Sequence, residues 1–553
     1  MGLMDGGFDP KLLKKVMEAS KALAGGLEEA AICLYGSRVA GYAREDSDYN
    51  ILILLDQYGE GVRYYSRDLD GQEGSCLIAD RELFELDVKV GSLGEFLAGR
   101  LIPPYLSLKG EPYLWRMEVA LKKRICLEEL EELILEHGEL SRGLVFKPEY
   151  VALSRIKRRM MVYPPLRYSY TMLLTGGLRE GNMRRIMPGF MSALKELEKE
   201  GAVELENNLV HPSDSFVDKV LSRRSRERVV NVLERSRRAI HTYLMHGRAG
   251  RVNLDSLAKE LTFKLARGLL TTPEKMGFDD PNRFLYLKTA IGLTSMEERS
   301  PALEALEGFK RGVKMALKPL GGALNEVYLA TADDERFVVK RFSDWYVFKW
   351  FPLNIVALGA RYFSVSGRER LSNEYGMTCY MSERGLPVQR ILHVNVREKT
   401  LIKEYLDGVD YSKLVRKALK SNGPDEADSF LEVGAFMAHV HSYDMTLGDA
   451  KPENILLGSK GVIALDLEQA SKGGDKAWDI AEFLYYAGHY SLTLNKGAKT
   501  IAQRFIEGYL TEGNPATLRK AAGLNYIKVF SFWTPTVILW HYASRLKEAT
   551  KRR

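Results

Sequence analysis

The chain has little cysteine and no long apolar run, and both shortages limit what it can be. Its 553 residues contain only four cysteines: Cys33, Cys76, Cys126 and Cys379. Their spacing argues against a disulfide framework or a structural zinc site and favours a reducing compartment. The most apolar stretches, 350–360 and 529–543, are shorter than the roughly 20 residues that span a bilayer. The first residues also lack the basic-then-apolar pattern of a signal peptide. We therefore expect a cytoplasmic protein with no membrane partner.

The composition excludes extensive disorder and collagen-like architectures. Apolar residues make up 45% of the chain and charged residues 28%, which is ordinary for globular proteins. No internal repeat or low-complexity tract is visible in the sequence. At roughly 100–200 residues per domain, the length predicts about three to five domains.

The positive charge is concentrated in the middle of the chain. The whole sequence has 80 basic and 73 acidic residues, a net charge of +7. Residues 151–260 alone contain 21 lysines and arginines and 12 acidic residues, an excess of +9, which leaves −2 for the rest. This asymmetry predicts a polyanionic partner for the middle region.

Apolar patterning divides the chain into three regions. In residues 1–100, the runs AAICLYG, YNILILL and ELDVKV predict short strands. The region from about 101 to 300 is mostly helical in pattern. From about 301 onward, strand-like runs such as EVYLATA and RFVVKRF precede a long helical stretch. A strand-rich half followed by a helical half predicts a two-lobed α+β domain.

The strongest chemical signal is a run of polar residues in this last region. Asp449 and Asn454 are five residues apart with Lys451 between them, and Asp466 follows the apolar run VIAL. Phosphoryl transfer needs a carboxylate for the attacking hydroxyl, oxygen ligands for Mg²⁺ and cations on the phosphates. Asp449 suits the role of base, Asn454 and Asp466 the role of metal ligands, and Lys451 that of a γ-phosphate contact.

These residues resemble the protein-kinase superfamily, whose catalytic loop reads H-R-D-x-x-x-x-N. D-A-K-P-E-N at 449–454 is nearly the D-L-K-P-E-N of Ser/Thr kinases. The resemblance implies an ATP site with Mg²⁺ and with further ATP-binding residues upstream. Lys340 would contact the phosphates, Glu374 would be its ion-pair partner, and 404–406 would be the hinge that binds adenine. The ATP-binding residues implied in this way are Gly321, Gly322, Lys340, Glu374, Glu404 and Leu406.

The departures from that pattern point to an atypical kinase. Leu447-Gly448 replaces His-Arg, and Asp466 is followed by Leu-Glu instead of Phe-Gly, so we expect no ordinary switching segment. The later element D-K-A-W-D, which ends at Asp479, is similar to one in the small kinase of the tRNA-modifying KEOPS complex, and the region also resembles RIO-type kinases. We expect Asp479 to hold the backbone of the catalytic loop.

A second, weaker resemblance lies near the N-terminus. Gly36-Ser37, then Asp48 and Asn50, are similar to the G-S and D-x-D signature of nucleotidyltransferases, and Asp87 in the run ELDVKV fits a third position. Two bridging Mg²⁺ ions require anionic oxygen, which the amide of Asn50 does not supply. We therefore expect a domain that kept this fold and lost or weakened the chemistry. The alternatives are an active transferase and a chance G-S turn.

The basic middle contains candidate RNA contacts, because the guanidinium fork suits phosphates. Seven arginines and two glutamates lie between Arg223 and Arg238. Residues 188–212, with an Asn207-Asn208 turn, resemble the helix and wing of a winged-helix domain, which could equally be a plain scaffold. A plain surface helix is the alternative for the arginines. The candidate residues are Arg155, Lys157, Arg158, Arg159, Arg184, Arg185, Arg223, Arg224, Arg226 and Arg228.

Together these patterns predict a multidomain α+β protein with four segments. They are a nucleotidyltransferase-like domain (1–125), a helical and winged-helix-like basic region (126–245), a helical connector (246–305) and a kinase-like domain (306–553). The arrangement resembles archaeal tRNA kinases that phosphorylate an internal 2′-hydroxyl, which implies RNA as the acceptor. Two alternatives stay open: a Ser/Thr protein kinase acting on an RNA-associated protein, and an ATP-gated RNA-binding scaffold without transfer.

Overall fold

The structure of the protein is a computed structural model. It describes residues 8–163, 166–223, 278–302, 304, 316–321, 325–344, 366–421 and 426–549. Gly322, Arg224, Arg226 and Arg228 lie outside these ranges. The described residues form two compact units. The first unit runs to Glu136 and continues over Val145–Leu285, and the second contains His137–Leu144 and the residues from Tyr286 onward.

The first unit begins with a five-stranded sheet. Its strands are β1 (Glu29–Tyr35), β2 (Tyr49–Leu55), β3 (Val62–Asp68), β4 (Glu73–Asp80) and β5 (Leu106–Lys109). The helices of this part are α1 (Pro10–Ala24), α2 (Ser37–Ala40) and α3 (Arg81–Val90). The strand order is β3-β4-β2-β1-β5, with β2 and β4 parallel and the other neighbours antiparallel. The apolar runs of β1 and β2 are almost wholly buried, as expected for central strands covered on both faces.

The predicted strand ELDVKV is wrong, because these residues lie in the helix α3. Asp80 caps the first turn by accepting from the backbone of Glu82 and Leu83, and Gly91 ends the helix with φ of 64°. An N-cap aspartate and a left-handed glycine enclose ten residues, a length that favours a helix. Both signals were present in the sequence and outweigh the local alternation of apolar residues.

The rest of the first unit is mostly helical. Its helices are α4 (Glu111–His137), α5 (Glu149–Val162), α6 (Leu166–Leu173), α7 (Arg179–Lys199) and α8 (Asp214–Ser222). Its strands are β6 (Leu144–Phe146), β7 (Val203–Glu206) and β8 (Leu209–Pro212). The predicted helix, Asn turn and hairpin are present, and α7 begins nine residues before Pro188. Asn207 and Asn208 have φ of 50° and 61°, the left-handed values that a tight hairpin turn needs.

The second unit opens with strands. They are β9 (Leu285–Thr289), β10 (Gly292–Ser295), β11 (Ala316–Gly321), β12 (Glu326–Ala332), β13 (Glu335–Arg341), β14 (Ile391–Asn395) and β15 (Thr400–Glu404). The last five form an antiparallel sheet in the order β11-β12-β13-β15-β14. The helix α9 (Gly367–Glu383) lies between β13 and β14 in the chain, and Ser366 caps its start. This sheet and helix hold Lys340 and Glu374.

A helical part follows in the same unit. Its helices are α10 (Tyr411–Ser421), α11 (Ala427–Ser442), α12 (Lys476–Gly488), α13 (Lys496–Tyr509), α14 (Pro515–Ala521), α15 (Leu524–Phe530) and α16 (Thr536–Ala549). Short strands lie between them: β16 (Gly408–Asp410), β17 (Met445–Thr446), β18 (Ile455–Gly458), β19 (Gly461–Ala464) and β20 (Ser471–Lys472). One apolar core, from Met377 to Leu546, joins these elements. Within the described ranges, no helix is long and apolar enough to cross a membrane.

Candidate active site

The backbone of the loop 447–454 is fixed by hydrogen bonds to a buried carboxylate. Asp479, near the start of α12, is fully buried and accepts hydrogen bonds from the backbone N–H groups of Leu447 (2.7 Å) and Gly448 (2.8 Å). His441 Nε2 lies 3.1 Å from the same carboxylate. A charged acceptor shared by two backbone donors fixes the loop more firmly than neutral bonds would. Asp479 therefore positions the polar residues that follow.

Asp449, Lys451 and Asn454 meet at the end of this loop. Lys451 Nζ lies 2.7 Å from Asp449 Oδ1, and Asn454 Nδ2 donates to the backbone oxygen of Asp449 at 3.0 Å. The backbone N–H of Leu465 donates to Asn454 O at 2.9 Å, which joins the loop to the residue before Asp466. The amide oxygen of Asn454 makes none of these bonds, so it can act as a ligand.

Lys340 connects the sheet to this loop region. Its Nζ on β13 lies 2.7 Å from Glu374 on α9, 2.9 Å from Asp466 and 3.1 Å from Glu468. Burial disfavours its charged form, but Asp466, Glu374 and Glu468 outweigh this and raise the pKa of Lys340 well above its ordinary value. Burial likewise opposes ionisation of Asp466, and Lys340 outweighs it and lowers the pKa of that carboxyl. The structure thus brings together three sequence-predicted residues far apart in the chain.

Glu468 and Lys403 were missed by the sequence analysis. Glu468 Oε2 accepts from Asn325 Nδ2 at 2.7 Å and lies 3.3 Å from the fully buried guanidinium of Arg370. The Lys403 ammonium pairs with the second oxygen of Glu374 and donates to the backbone oxygen of Leu465 at 2.7 Å. Glu468 occupies the third position of the Asp466-Leu-Glu sequence, so its departure from Asp-Phe-Gly was the available signal.

Glu482 is another buried carboxylate that the sequence analysis missed. One oxygen accepts from the backbone N–H of Ala450 (2.7 Å) and from the indole of Trp478 (3.1 Å). Burial and then the nearby charge of Asp449 raise the pKa of Glu482 well above its ordinary value. Its position three residues after Asp479 puts both carboxylates on one face of α12. That spacing was readable in the sequence.

The remaining predicted ATP contacts lie at the edges of the sheet. Glu404 ends β15, and its backbone N–H donates to Arg390 O at 3.0 Å while its own oxygen accepts from Gln389 Nε2 at 3.1 Å. Leu406 is half-buried in the connection to β16. Gly321 ends β11, and Gly322 is outside the described residues. The adenine-binding role of 404–406 stays a prediction.

The donor set fits a divalent cation beside Asp466. Mg²⁺ prefers carboxylate and amide oxygens, and Asp466 and Asn454 supply one of each on neighbouring backbone segments. Within the described ranges, Glu374, Asp466 and Glu468 form the one cluster of three acidic ligands. The Lys340 ammonium already lies within 3.1 Å of all three. Asp466 and Asn454, instead of that cluster, would hold the metal, and this role stays a prediction.

The N-terminal signature lacks two of its three carboxylates. Asn50 Nδ2 donates to Asp48 Oδ1 at 3.2 Å beside the turn at Gly36, where φ is 88° and Ser37 begins α2. On the neighbouring strand β4, Ser75 is the residue opposite Asn50. A serine hydroxyl supplies no negative charge. Among Asp48, Asn50 and Ser75, the carboxylate is therefore that of Asp48, and lost or weakened transferase chemistry stays a prediction.

The assignment of Asp87 to that site is wrong. Asp87 lies in α3, fully buried, and its two oxygens accept from four backbone N–H groups. The donors are Leu93, Glu95, Leu97 and Ala98, at 2.9–3.0 Å. A carboxylate so fully used anchors the following loop, so it has no free oxygen for a metal.

Four predicted RNA contacts on α5 are ion-paired within the first unit. Burial corrects the assignment of Arg155 and Arg159, whereas RNA contact by Lys157 and Arg158 stays a prediction. Arg155 and Arg159 both pair with Glu95, and their side chains are only 11% and 10% exposed. Arg158 pairs with Glu129 at 2.9 Å, and Lys157 pairs with Asp280 at 3.0 Å. Their carboxylate partners lie up to 123 residues away in the chain, so the sequence reading counted them as unneutralised charge.

The other described candidates for RNA contact differ in their exposure and in their partners. Arg185 donates to the backbone oxygen of Val39 at 2.7 Å, and burial lowers its pKa. Arg184 is 74% exposed and pairs with Glu180, which is 82% exposed. Arg223 follows the end of α8. RNA contact by Arg184 and by the arginines from Arg223 onward stays a prediction.

We expect Glu95 to make the first unit sensitive to acid. Burial opposes its ionisation, but Arg155, Arg124 and Arg159 outweigh burial and hold the pKa of Glu95 far below its ordinary value. Stability from this group is therefore complete above the unfolded pKa of about 4.3 and is lost as pH falls towards the folded pKa. Glu95→Gln should lower the free energy of unfolding at pH 7 by about 3–5 kcal/mol.

Denaturant unfolding of the full chain between pH 3 and pH 7 tests this expectation. The matched control is Glu60→Gln, because Glu60 is 58% exposed and pairs with the exposed Arg63. The control should shift stability by less than about 1 kcal/mol. Equal losses in the free energy of unfolding would show that the buried ion pairs of Glu95 stabilise the protein no more than an exposed pair does.

Comparisons with known proteins add little to these observations. No family model matches the chain, and no curated protein matches it. Among solved structures, the choline kinase LicA from Streptococcus pneumoniae is similar at 15% sequence identity with a TM-score of 0.26. The match covers 45% of this chain and 97% of that chain. A TM-score this low carries no conclusion about function.

Proposed function

We propose that the protein is an ATP-dependent phosphotransferase with a hydroxyl group as acceptor. The observation that carries the proposal is the contact of Asp466 with the Lys340–Glu374 ion pair, next to a loop in which Asn454 is hydrogen-bonded to Asp449 and to Leu465. The Lys340 ammonium lies 2.7 Å from Glu374 and 2.9 Å from Asp466. Base, metal ligands and a fixed cation are the parts that phosphoryl transfer requires.

Each residue then has a defined part in the reaction. Asp449 accepts the proton of the attacking hydroxyl, and Lys451, 2.7 Å from it, offsets charge on the transferring group. Lys340 binds the α- and β-phosphates and is held in place by Glu374. Asn454 and Asp466 would hold Mg²⁺, which would neutralise charge on the phosphates. Asp479 and Glu482 keep the catalytic loop in position.

The acceptor that we propose is structured RNA, most specifically an internal ribose 2′-hydroxyl of tRNA. Two observations support it. The sequence motifs resemble those of archaeal tRNA kinases, and residues 223–238 have a net charge of +5. The first unit would hold the RNA, and its nucleotidyltransferase-like part would act as a positioning module. A Ser/Thr protein kinase has the same loop chemistry, so the acceptor must be tested directly.

Label transfer from γ-labelled ATP is the test, with bulk tRNA and a protein substrate offered side by side. We expect label in nuclease-sensitive material that resists phosphatase until the RNA is digested. Label only in protein would overturn the RNA acceptor and leave the phosphotransferase standing. Binding of ATP without transfer to either acceptor would favour an RNA-binding scaffold.

A further inference from the structure

A group of aromatic side chains lies directly beside the catalytic loop. Lys451 Nζ is 6.0 Å from the ring centroid of Tyr486, at the end of α12. The Tyr486 ring is 5.5 Å from the His489 ring, which is 5.4 Å from the Tyr490 ring. These rings therefore extend outward from a residue that we assign to phosphoryl transfer.

The turn before α16 contains two more aromatic residues, and its backbone contacts His489. His489 Nδ1 lies 3.1 Å from the backbone oxygen of Trp533, and Thr534 Oγ1 donates to Tyr485 O at 2.7 Å. The turn is thus fixed to α12. Phe532 and Trp533 pack edge to face at 6.1 Å. We name Tyr486, His489, Tyr490, Phe532 and Trp533 the aromatic platform.

The aromatic platform is open to solvent. The side chain of Phe532 is 73% exposed and that of Trp533 is 40% exposed. His489 is exposed as well, and Tyr486 and Tyr490 are half-buried. Large rings gain free energy when they leave water, so an exposed group of them marks a binding surface.

An exposed arginine beside the aromatic platform suits a ligand that has phosphates. The Arg416 guanidinium lies over the Tyr490 ring at 4.2 Å, and Lys451 lies over Tyr486. Lys451 is paired with Asp449 at 2.7 Å, so Arg416 is the cation of these two that can meet an anionic link between planar rings. The Glu453 carboxylate is occupied by the Tyr490 hydroxyl. Unpaired nucleotides have that combination of aromatic faces and phosphates.

We propose that the aromatic platform stacks unpaired bases of the RNA next to the acceptor hydroxyl. This inference rests on the proposed function and names the part of the site that selects its substrate. Base–aromatic stacking tolerates different bases because every base has a π-face. The aromatic platform therefore requires single-stranded RNA at the acceptor, with Arg416 beside its backbone.

The test compares Tyr486→Ala and the double variant Phe532→Ala/Trp533→Ala with the wild-type chain. We expect the KM for bulk tRNA to rise at least about 5-fold, because that is the smallest usual contribution of one stacked base. The KM for ATP should change far less than the KM for tRNA. Tyr486→Phe should restore the KM for tRNA, because the ring alone is needed. Equal rises in both KM values would indicate a structural role and overturn the proposal.

A matched control is Tyr443→Ala. Its half-buried ring contacts His439 at 5.4 Å, much as Tyr486 contacts His489, but it is not part of the aromatic platform. We expect its KM for tRNA to match that of the wild type. A loss as large as that of Tyr486→Ala would show that any ring lost from the helical part weakens binding, which contradicts the proposal.

Direct binding separates this proposal from the proposed function. Kd for bulk tRNA is measured with the same substitutions added to the non-transferring variant Asp449→Asn. Weaker binding with no transfer by the wild type would sink the RNA-kinase function and keep the aromatic platform. Equal transfer of label to tRNA by the wild type and by all platform variants that keep Asp449 would support the RNA-kinase function and overturn the aromatic platform. Choline chloride is offered in parallel, because aromatic rings also bind quaternary ammonium ions, and platform-dependent choline phosphorylation would overturn the base-stacking proposal.

Discussion

Asp449→Asn should lower the rate constant of phosphoryl transfer by about 10²- to 10⁴-fold, the usual contribution of a positioned general base. The amide has the same shape, so it can still contact Lys451, which lies 2.7 Å from the carboxylate in the wild type. It cannot take up the proton of the hydroxyl. In the proposed mechanism ATP is bound by Lys340, Asn454 and Asp466, which this variant keeps, so the Kd for ATP should change by less than a factor of about 3.

Single-turnover label transfer gives the rate constant, and equilibrium binding of labelled ATP gives the Kd. The control is Asp428→Asn, because Asp428 is an 85% exposed aspartate on α11 in the same unit. The control should transfer at the wild-type rate. A near-normal rate for Asp449→Asn would remove Asp449 from the role of base and return the site to the scaffold interpretation.

Asp479→Ala should be the most destabilising of the substitutions considered for the second unit. It leaves the N–H groups of Leu447 and Gly448 without their acceptor, and both bonds are now 2.8 Å or shorter. Each unsatisfied buried donor costs about 1–3 kcal/mol, which gives a loss of about 2–6 kcal/mol. At roughly 2–4 °C per kcal/mol, the unfolding temperature should fall by about 4–24 °C.

Calorimetry of the full chain measures this change. Asp407→Ala is the matched control, because Asp407 is 76% exposed and pairs with Arg336 at the surface. That control should move the transition by no more than about 2 °C. A small effect of Asp479→Ala would mean that water replaces the lost acceptor, and the loop would then not depend on Asp479.

The polar residues of the candidate site were predictable where their spacing is local. Asp449, Lys451 and Asn454 lie within six residues, so the chemistry of the loop is legible from the sequence alone. Lys340 and Glu374 are 34 residues apart and needed a family resemblance to be paired. Glu482 was missed although its helical spacing from Asp479 was visible.

The errors of the sequence analysis have a common physical cause. Arg155 was read as available for phosphates because its partner Glu95 is 60 residues away and joins it only after folding. The local apolar pattern around Asp87 fits the periodicity of a strand and that of a helix. The capping residues Asp80 and Gly91 favour the helix that is present. The contact between His489 and Trp533 spans 44 residues, and no local pattern predicts it. Contacts between residues that are far apart in the chain cannot be read from a local sequence pattern.

Glu468 has a consequence for how the site would behave between turnovers. If the Asp466–Glu468 loop swung away, the fully buried Arg370 and the buried Lys340 would each lose a carboxylate. Breaking one buried pair costs about 3–5 kcal/mol, so a retracted loop would be populated below about 1%. In the proposed mechanism Asp466 would therefore stay in place while the site is empty, and the first turnover would need no rearrangement of this loop.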